Sequence, residues 1–306
     1  MTLLRRPGPW IGLLLVLLAV TAPGWVGAYY LGVLSTAYYF GVFAMSWDLL
    51  FGFAGEVNFG PTFMIGTGAY AAGLMNNAGF GIPLSVAGGA VAAVIGGLIL
   101  ALPALRLRGP YFGLVTLVAV LLLLDCIVIF AGFTGGEIGM MVPSILSISA
   151  VTNYWYAFGF LAISAVILFG LSRSSLGLIL QATGQDRIGA AALGFNVTKH
   201  KLAAFCISAL FSGLAGAMIT FYEGIASVDT VVSLALTVQI VIAVVFGGRR
   251  TIVGAIIGGI FLILFNELLR PLGQLNSLVV SAIALVVIIF FPDGALGWMF
   301  HSRDES

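Results

Sequence analysis

The chain has 306 residues, of which 61% are hydrophobic and 8% are charged, and its mean hydropathy is +1.18. A typical soluble domain carries about 25% charged residues, so 12 basic and 11 acidic side chains are too few to cover a water-exposed surface. The net charge of +1, without a long basic stretch, argues against a nucleic-acid-binding protein. Composition therefore predicts a protein that lies in a lipid bilayer, where an apolar exterior is favourable.

Ten apolar runs are each long enough to cross about 30 Å of hydrocarbon as a helix. The runs are continuous and do not alternate with polar residues, which argues against an outer-membrane β-barrel. The sequence therefore predicts an all-α fold, a polytopic transmembrane helical bundle of about 10 helices, built as a single domain from residues 1–306. The predicted spans are residues 10–28, 29–51, 59–78, 83–105, 111–133, 153–171, 202–224, 231–248, 251–269 and 275–292.

Two of these spans have an alternative interpretation. Arg5 and Arg6 precede the first apolar run, as in a signal peptide whose cleavage would remove residues 1–28 and leave nine crossings. The run is longer than the usual core of a signal peptide, which favours an uncleaved first span. The stretch 51–68 is rich in glycine, so span 59–78 is either a full crossing or a re-entrant element that lines a cavity.

The basic residues predict the orientation, because cytoplasmic loops of membrane proteins carry an excess of Lys and Arg. With ten crossings and a cytoplasmic N-terminus, Arg270 falls outside and the other basic residues fall inside. We therefore expect both termini in the cytoplasm. The basic residues on the cytoplasmic side are then Arg5, Arg6, Arg106, Arg108, Arg173, Arg187, Lys199, Lys201, Arg249, Arg250 and Arg303.

The longest polar connection covers residues 172–201, which the same rule places in the cytoplasm. Ser174 and Ser175 are good N-cap residues, and Gly184 interrupts the helix-compatible stretch that follows. Asp186 then stands where its charge suits the N-terminal end of a second short helix. We expect two short helices with a small-residue surface, which either dock on another protein or form an ordinary loop under the bundle.

Six motifs occur in order along the chain: LFGFAGEVNFGPTFMIGTGAY (50–70), LRLRGPYFGLVTL (105–117), FTGGEIG (133–139), GAAALGFNVTKHKLAAF (189–205), FSGLAGA (211–217) and FGGRRTIVG (246–254). As an ordered set they resemble the branched-chain amino-acid permease family of ABC importers, and in particular its M-type subunit. The resemblance covers roughly residues 45–300. The chain departs from the family pattern at Leu121, Leu178, Leu180 and Gly184, at Glu56, where the family has glutamine, and at GGRRT, where it has GGxGS.

The resemblance implies a type II ABC importer-like permease, a subunit without catalytic residues, in the bacterial cytoplasmic (inner) membrane. It implies four partners: two ATP-binding subunits, a second homologous permease subunit and an extracytoplasmic solute-binding protein. No cofactor is expected on this chain, because neither Lys199 nor Lys201 follows the GxxxxG of a phosphate-binding loop, so the partner subunits would bind ATP. A cytoplasmic coupling helix would dock on an ATPase through Asp186, Arg187, Ile188, Ala190, Ala191, Ala192, Leu193 and Gly194.

Polar residues inside the predicted spans are candidates for the solute pathway, because an unpaired charge at mid-membrane costs about 3 kcal/mol or more. Each has a structural alternative, either contact between helices or, for Asp48 and Glu267, a position near a span end. Glu56 is the favoured candidate, because the glycines around it free backbone groups that can bond a solute. The candidate pathway residues are Glu56, Asn58, Gly60, Asp125, Thr237 and Gln239.

Other classes of protein remain as alternatives. An ion-coupled secondary transporter would use buried acids such as Asp125. An intramembrane enzyme is disfavoured, because the sequence contains no HExxH, GxGD or GxSxG motif, and no metal site is predicted. Within the family that the chain resembles, the solute would be a branched-chain or other small amino acid, or alternatively urea or a short amide.

Overall fold

The computed structural model describes residues 16–273 apart from 106, 108 and 109, and beyond them residues 275, 279 and 282. The all-α prediction is confirmed for this part of the chain. Predicted span 275–292, except for its three isolated residues, and the start of span 10–28 lie outside the described residues. The helices are α1 (Ala28–Asp48), α2 (Pro61–Asn77), α3 (Ile82–Ala104), α4 (Pro110–Ile129), α5 (Ala131–Thr134), α6 (Ala150–Arg173), α7 (Ser175–Gln185), α8 (Arg187–Ala192), α9 (Val197–Glu223), α10 (Val228–Val231), α11 (Leu234–Gly247) and α12 (Ile252–Leu269).

Helix boundaries differ from the predicted spans where a helix continues beyond its apolar run. Both α6 and α9 extend into the predicted polar connection 172–201, so the connection itself covers residues 174–196. A search for apolar runs stops at the first polar residues, whereas the helices continue through Arg173 at one end and Lys199 at the other.

A short antiparallel ribbon joins two connections at the end of the bundle opposite residues 174–196. Strand β1 (Met140–Met141) pairs with β2 (Ile225–Ala226), with Met140 opposite Ala226. The sequence did not predict these strands, because two residues are too few for an alternating pattern to be recognisable.

Within the described residues, six helical stretches are long and apolar enough to cross a membrane. Helices α1 and α2 are not among them, because tyrosine, serine and threonine lower the hydropathy of α1 and because α2 has 17 residues. Both lie largely inside the bundle, and every residue of α1 from Ala37 to Asp48 is buried. The predicted total of ten crossings stays a prediction. The six stretches are Ile82–Ala104, Tyr111–Ile129, Ala150–Arg173, Val197–Glu223, Val228–Gly247 and Ile252–Leu269.

Helix α9 lies at the centre of the bundle, against α2 and α3. In the most apolar 18-residue stretch of α9, 61% is buried inside the bundle, compared with 28% in the corresponding stretch of the peripheral helix α6. A Cβ atom at Gly68 of α2 would lie 2.4 Å from the carbonyl oxygen of Gly213 of α9, and a Cβ atom at Gly213 would lie 2.2 Å from the Cβ of Ala93 of α3. Small residues therefore set the separation of these three helices, as is common in membrane bundles.

Helix α1 connects this group of helices to α6 and α12. Its Tyr38 hydroxyl lies 2.8 Å from the hydroxyl of Tyr154 on α6, and a Cβ at Gly259 of α12 would lie 3.2 Å from the Cα of Gly41. On the side of α9, the Ser208 hydroxyl donates a hydrogen bond of 2.7 Å to the Ser46 carbonyl oxygen. A displacement of α1 would therefore disturb helices on both of its sides.

Replacement of Gly68 by alanine tests the close approach of α2 and α9. The new Cβ would meet backbone atoms of Gly213, which cannot rotate away, so the helices must separate. We expect the free energy of unfolding to fall by about 1–3 kcal/mol, measured as a lower unfolding temperature of the detergent-solubilised protein.

The matched control is Gly170→Ala on α6, where a Cβ meets nothing within 4 Å. Alanine has the better helix propensity, so this variant should unfold at the wild-type temperature or slightly above it. Equal unfolding temperatures for the two variants would contradict the packing described.

Candidate functional site

Three connections come together at one end of the bundle. The coupling segment is residues 174–196, between α6 and α9; the broken segment is residues 49–60, between α1 and α2; and loop 248–251 joins α11 to α12. The broken segment contacts both of the others, through Gly55 against Gly184 and through Gly52 against Arg250. This end therefore contains most of the residues that the sequence singled out.

The coupling segment contains the two short helices that the sequence predicted, α7 and α8. The Asp186 carboxylate caps α8 and accepts hydrogen bonds of 2.9 Å from the backbone N–H groups of Ile188 and Gly189. Ser174 occupies the N-cap position of α7, but its hydroxyl donates to the Leu171 carbonyl oxygen instead of capping. The predicted position of Asp186 at a helix start is thus confirmed.

One face of α8 and of the turn after it is exposed and apolar. Ile188 is 83% exposed and Leu193 is 79% exposed, and Ala191 and Ala192 are exposed between them. Ala190, which the sequence placed in the same docking set, is 3% exposed and points into the protein. We call Ile188, Ala191, Ala192 and Leu193 the coupling surface. The other predicted members of the set lie beside it, with Arg187 half-buried and Gly194 exposed.

The broken segment satisfies its backbone without a regular helix. A π-helical turn over Leu49–Phe53 follows α1, and Glu56 N–H then donates 3.0 Å to the Leu50 carbonyl oxygen. The Asn58 side-chain oxygen accepts the Gly60 N–H at 2.8 Å, and the Asn58 carbonyl accepts the Trp47 indole N–H at 2.6 Å. Buried backbone groups need such partners wherever a helix stops inside a membrane protein.

A partly buried ion pair connects the broken segment to α9. The Lys201 ammonium donates to the Glu56 carboxylate at 2.5 Å, and the two side chains are 7% and 16% exposed. Glu56 was predicted to face the solute pathway, whereas its carboxylate in the structure is occupied by Lys201. Sequence reasoning missed this partner, because the two residues are 145 positions apart.

A second long-range contact fixes loop 248–251. The Asp48 carboxylate, fully buried at the end of α1, accepts the Arg250 backbone N–H at 3.2 Å, and the Arg250 Nε donates 3.0 Å to the Gly52 carbonyl oxygen. Arg250 has a φ of 64°, which is costly for a residue with a Cβ. A Cβ at Gly52 would lie 2.2 Å from the Asp48 carboxylate, so this close contact requires glycine.

The predicted pathway residues do not all lie together. Thr237 of α11 shares a hydrogen bond of 2.9 Å with Thr62 in the first turn of α2, next to Asn58 and Gly60. Gln239 is half-buried two residues further along, which places it on nearly the opposite side of α11.

Asp125 is the exception, because it lies on the exposed face of α4. The exposed residues around it recur every three or four positions and are otherwise apolar or aromatic. We call this face the α4 stripe: Tyr111, Leu114, Val118, Leu121, Leu122, Asp125, Val128 and Ile129.

Among residues 16–105 and 110–273, no group of three or more His, Cys, Asp or Glu side chains lies close enough together to hold a metal ion. Cys126 and Cys206 are free thiols.

The fold and these contacts define a class of protein: a multi-pass helical membrane protein with a helical projection at one end. The chain belongs to the family of permease components of the branched-chain amino acid transport system, which matches residues 29–292.

Two relatives with different names are similar to the chain. The high-affinity branched-chain amino acid transport system permease protein LivM of Escherichia coli (strain K12) is 28% identical over 92% of this chain and 73% of its own length. The autoinducer 2 import system permease protein LsrC of Salmonella paratyphi B is 27% identical over 79% of this chain and 70% of its own length. No solved structure matches the chain.

Replacement of Asp186 by alanine tests the cap of α8. Loss of a capping carboxylate costs about 1 kcal/mol, so amide hydrogen exchange over residues 187–192 should become about fivefold faster. The control is Asp186→Asn, whose side-chain oxygen can still accept from Ile188 and Gly189 and should keep exchange close to wild type. Unchanged exchange in the alanine variant would mean that the capping bonds do not hold this helix.

Proposed function

We propose that this chain is a transmembrane subunit of an ABC importer that moves branched-chain or other small amino acids into the cytoplasm. The observation that carries the proposal is the coupling surface. Ile188 and Leu193 expose large apolar side chains on a short helix that projects from the bundle. Such a surface is stabilised when a partner protein covers it, and exposed apolar patches of this kind commonly mark interaction sites.

The partner at this surface is an ATP-binding subunit. The chain has no phosphate-binding loop of its own, so the energy for transport comes from another protein. The complete importer would contain two such subunits, a second homologous permease subunit and an extracytoplasmic solute-binding protein. This chain would bind no cofactor, and ATP would be bound by its partners.

Ten crossings and cytoplasmic termini are part of the proposal, with residues 1–306 forming one domain in the bacterial cytoplasmic membrane. A helix of 21 residues such as α1 is about 32 Å long and one of 17 residues such as α2 is about 26 Å long. Both lengths suit a crossing, or nearly so, once neighbouring helices shield the polar groups. The basic residues of the coupling segment and loop 248–251 favour a cytoplasmic location for that end of the bundle.

An amino acid is the favoured solute, because the branched-chain amino acid permease of Escherichia coli is similar over 92% of this chain, compared with 79% for the autoinducer 2 permease. An import system for an autoinducer-2-like solute is the second candidate. Urea and a short amide are further alternative solutes. Ion-coupled transport is the alternative mechanism, and the ATP dependence of uptake in the assay below distinguishes it.

The α4 stripe is proposed to face the second permease subunit and the solute pathway between the two subunits. A carboxylate that faces lipid is costly, whereas one that faces protein or water is not. Asp125 lies on the stripe about one turn before the end of α4. Asp125 therefore favours contact of this part of the stripe with protein or water over contact with hydrocarbon.

Substitution Ala191→Arg tests the coupling surface. The importer is reconstituted from this chain and its partners in proteoliposomes, and the uptake of labelled leucine is measured with and without ATP. A bulky unpaired charge in the docking contact should lower ATP-dependent uptake by at least about tenfold, equivalent to 1.4 kcal/mol, while the chain remains inserted.

Ala191→Ser is the matched control, since it keeps a small side chain and should keep uptake near the wild-type rate. Uptake by the wild-type importer that does not need ATP would contradict the proposed class, and uptake of autoinducer 2 without leucine would contradict the proposed solute. Full uptake by the arginine variant would contradict the docking role.

The environment of the α4 stripe can be tested with a thiol probe. In a chain with Cys126 and Cys206 replaced by alanine, Asp125→Cys should react with a membrane-impermeant thiol reagent, because the thiolate that reacts forms only in contact with water. Val166 is 72% exposed on an apolar face of α6, and Val166→Cys should remain unreactive. An unreactive Asp125→Cys in the assembled importer would place the stripe in lipid or in a dry contact.

A further inference from the structure

The strongest unexplained feature of the chain is the ion pair between the buried Lys201 and the half-buried Glu56. Lys201 is 6% exposed as a residue, and its ammonium lies 2.5 Å from the Glu56 carboxylate. Removal of one partner from a buried pair leaves an uncompensated charge, which costs far more than the intact pair contributes. The pair is therefore a firm connection between two segments that are distant in sequence.

On one side, the pair is joined to the coupling segment by a tight turn. Phe195 N–H donates 3.2 Å to the Ala190 carbonyl oxygen, and Gly194 N–H donates 3.0 Å to that of Ala191. The Asn196 side chain then caps α9 by accepting the Lys199 N–H at 3.0 Å. Lys201 lies within the first two turns of α9. Because the turn between α8 and α9 is held by hydrogen bonds, a displacement of α8 would also displace the Lys201 side chain.

On the other side, the pair holds the broken segment. Glu56 is two residues from Asn58, which bonds Trp47 near the end of α1 and Gly60 at the start of α2. The first turn of α2 in turn bonds α11 through Thr62 and Thr237. A displacement of Glu56 would therefore also displace the start of α2, where the sequence places candidate pathway residues.

A second contact joins the coupling segment directly to the broken segment. A Cβ at Gly55 would lie 3.0 Å from the Cα and the carbonyl oxygen of Gly184, at the end of α7. A Cβ at Gly184 would lie 2.8 Å from the Phe53 carbonyl oxygen. The backbones of the coupling segment and of the broken segment are thus in direct contact beside the ion pair.

We propose that the Lys201–Glu56 ion pair is a positioning link that carries movement of the coupling segment into the broken segment, and so opens or closes the cytoplasmic end of the solute path. The inference rests on the proposed function, because it needs an ATPase that moves α8. It assigns Glu56 to transmission of movement and not to contact with the solute. Both residues act through the segments that they join.

The test measures uptake and ATP hydrolysis together, in proteoliposomes that contain the whole importer. Glu56→Met and Lys201→Met each remove one charge and the hydrogen bond between the two side chains. Both should keep ATP hydrolysis but lower the solute moved per ATP by at least about tenfold, because the link is broken. The affinity for solute, measured as half-saturation of uptake, should not change in Glu56→Met, since the carboxylate does not contact solute.

The exchanged pair, Glu56→Lys with Lys201→Glu, restores opposite charges and should recover most of the coupling that either single variant loses. The control is the exposed pair Glu267–Arg270 at the other end of the bundle, with nitrogen and oxygen 3.3 Å apart. Glu267→Gln and Arg270→Met should keep the wild-type ratio of uptake to hydrolysis.

Wild-type coupling in both single variants would overturn the inference, as would an exchanged pair that assembles but couples no better than they do. A changed half-saturation in Glu56→Met would return Glu56 to the solute site. If neither the single variants nor the exchanged pair assemble, the pair is a folding element and the inference also fails. Absence of ATP-dependent uptake in the wild-type importer would instead contradict the proposed function.

Discussion

Every backbone polar group in the apolar interior of this protein needs a partner within the protein, because lipid offers none. The requirement is hardest to meet where a helix stops, and the backbone leaves the helical conformation between α1 and α2. There the Asn58 side-chain oxygen accepts from the Gly60 N–H, and the Trp47 indole donates to the Asn58 carbonyl oxygen, so both backbone groups have the partners that a continuing helix would have supplied. Because these bonds hold the broken segment without regular structure, its position depends on the elements that surround it.

Those surrounding elements are closely packed. Gly68 and Gly213 set the separation of α2 from α9, and Gly52 permits Asp48 to reach the backbone of Arg250. Helices that meet through glycine cannot adjust by rotating a side chain, so they move as rigid bodies. Movement is therefore expected to concentrate in the connections at the end that contains the coupling segment, where the ion pair of Lys201 and Glu56 joins two of them.

The sequence predicts features of the fold that depend on nearby residues. The capping role of Asp186 follows from its own neighbours, since its partners are two and three residues away. The apolar runs predict most helices to within a few residues. The lower hydropathy of α1 hides it from a search for apolar runs, although other helices bury its Tyr38 and Tyr39, which no pattern within α1 reveals.

The contacts of the candidate site are harder to predict from the sequence, because they join residues that are far apart in the chain. Glu56 was singled out as an ionisable residue in the glycine-rich stretch 51–68, but its partner Lys201 is 145 positions away. Asp48 and Arg250 are 202 positions apart, and the left-handed backbone of Arg250 is not visible in its residue type. Ala190 was placed in the docking set because of the family resemblance, yet the orientation of α8 buries it.

The central claim is that the coupling segment and the broken segment move together. The most direct measurement is the distance between spin labels at Val57→Cys and Ala182→Cys, both exposed, in the importer with and without trapped ATP. The cysteines at 126 and 206 are first replaced. If the two segments move together, this distance stays constant while the distance from Val57→Cys to Thr152→Cys, at the opposite end of α6, changes. A change between positions 57 and 182 as large as that between 57 and 152 would contradict it.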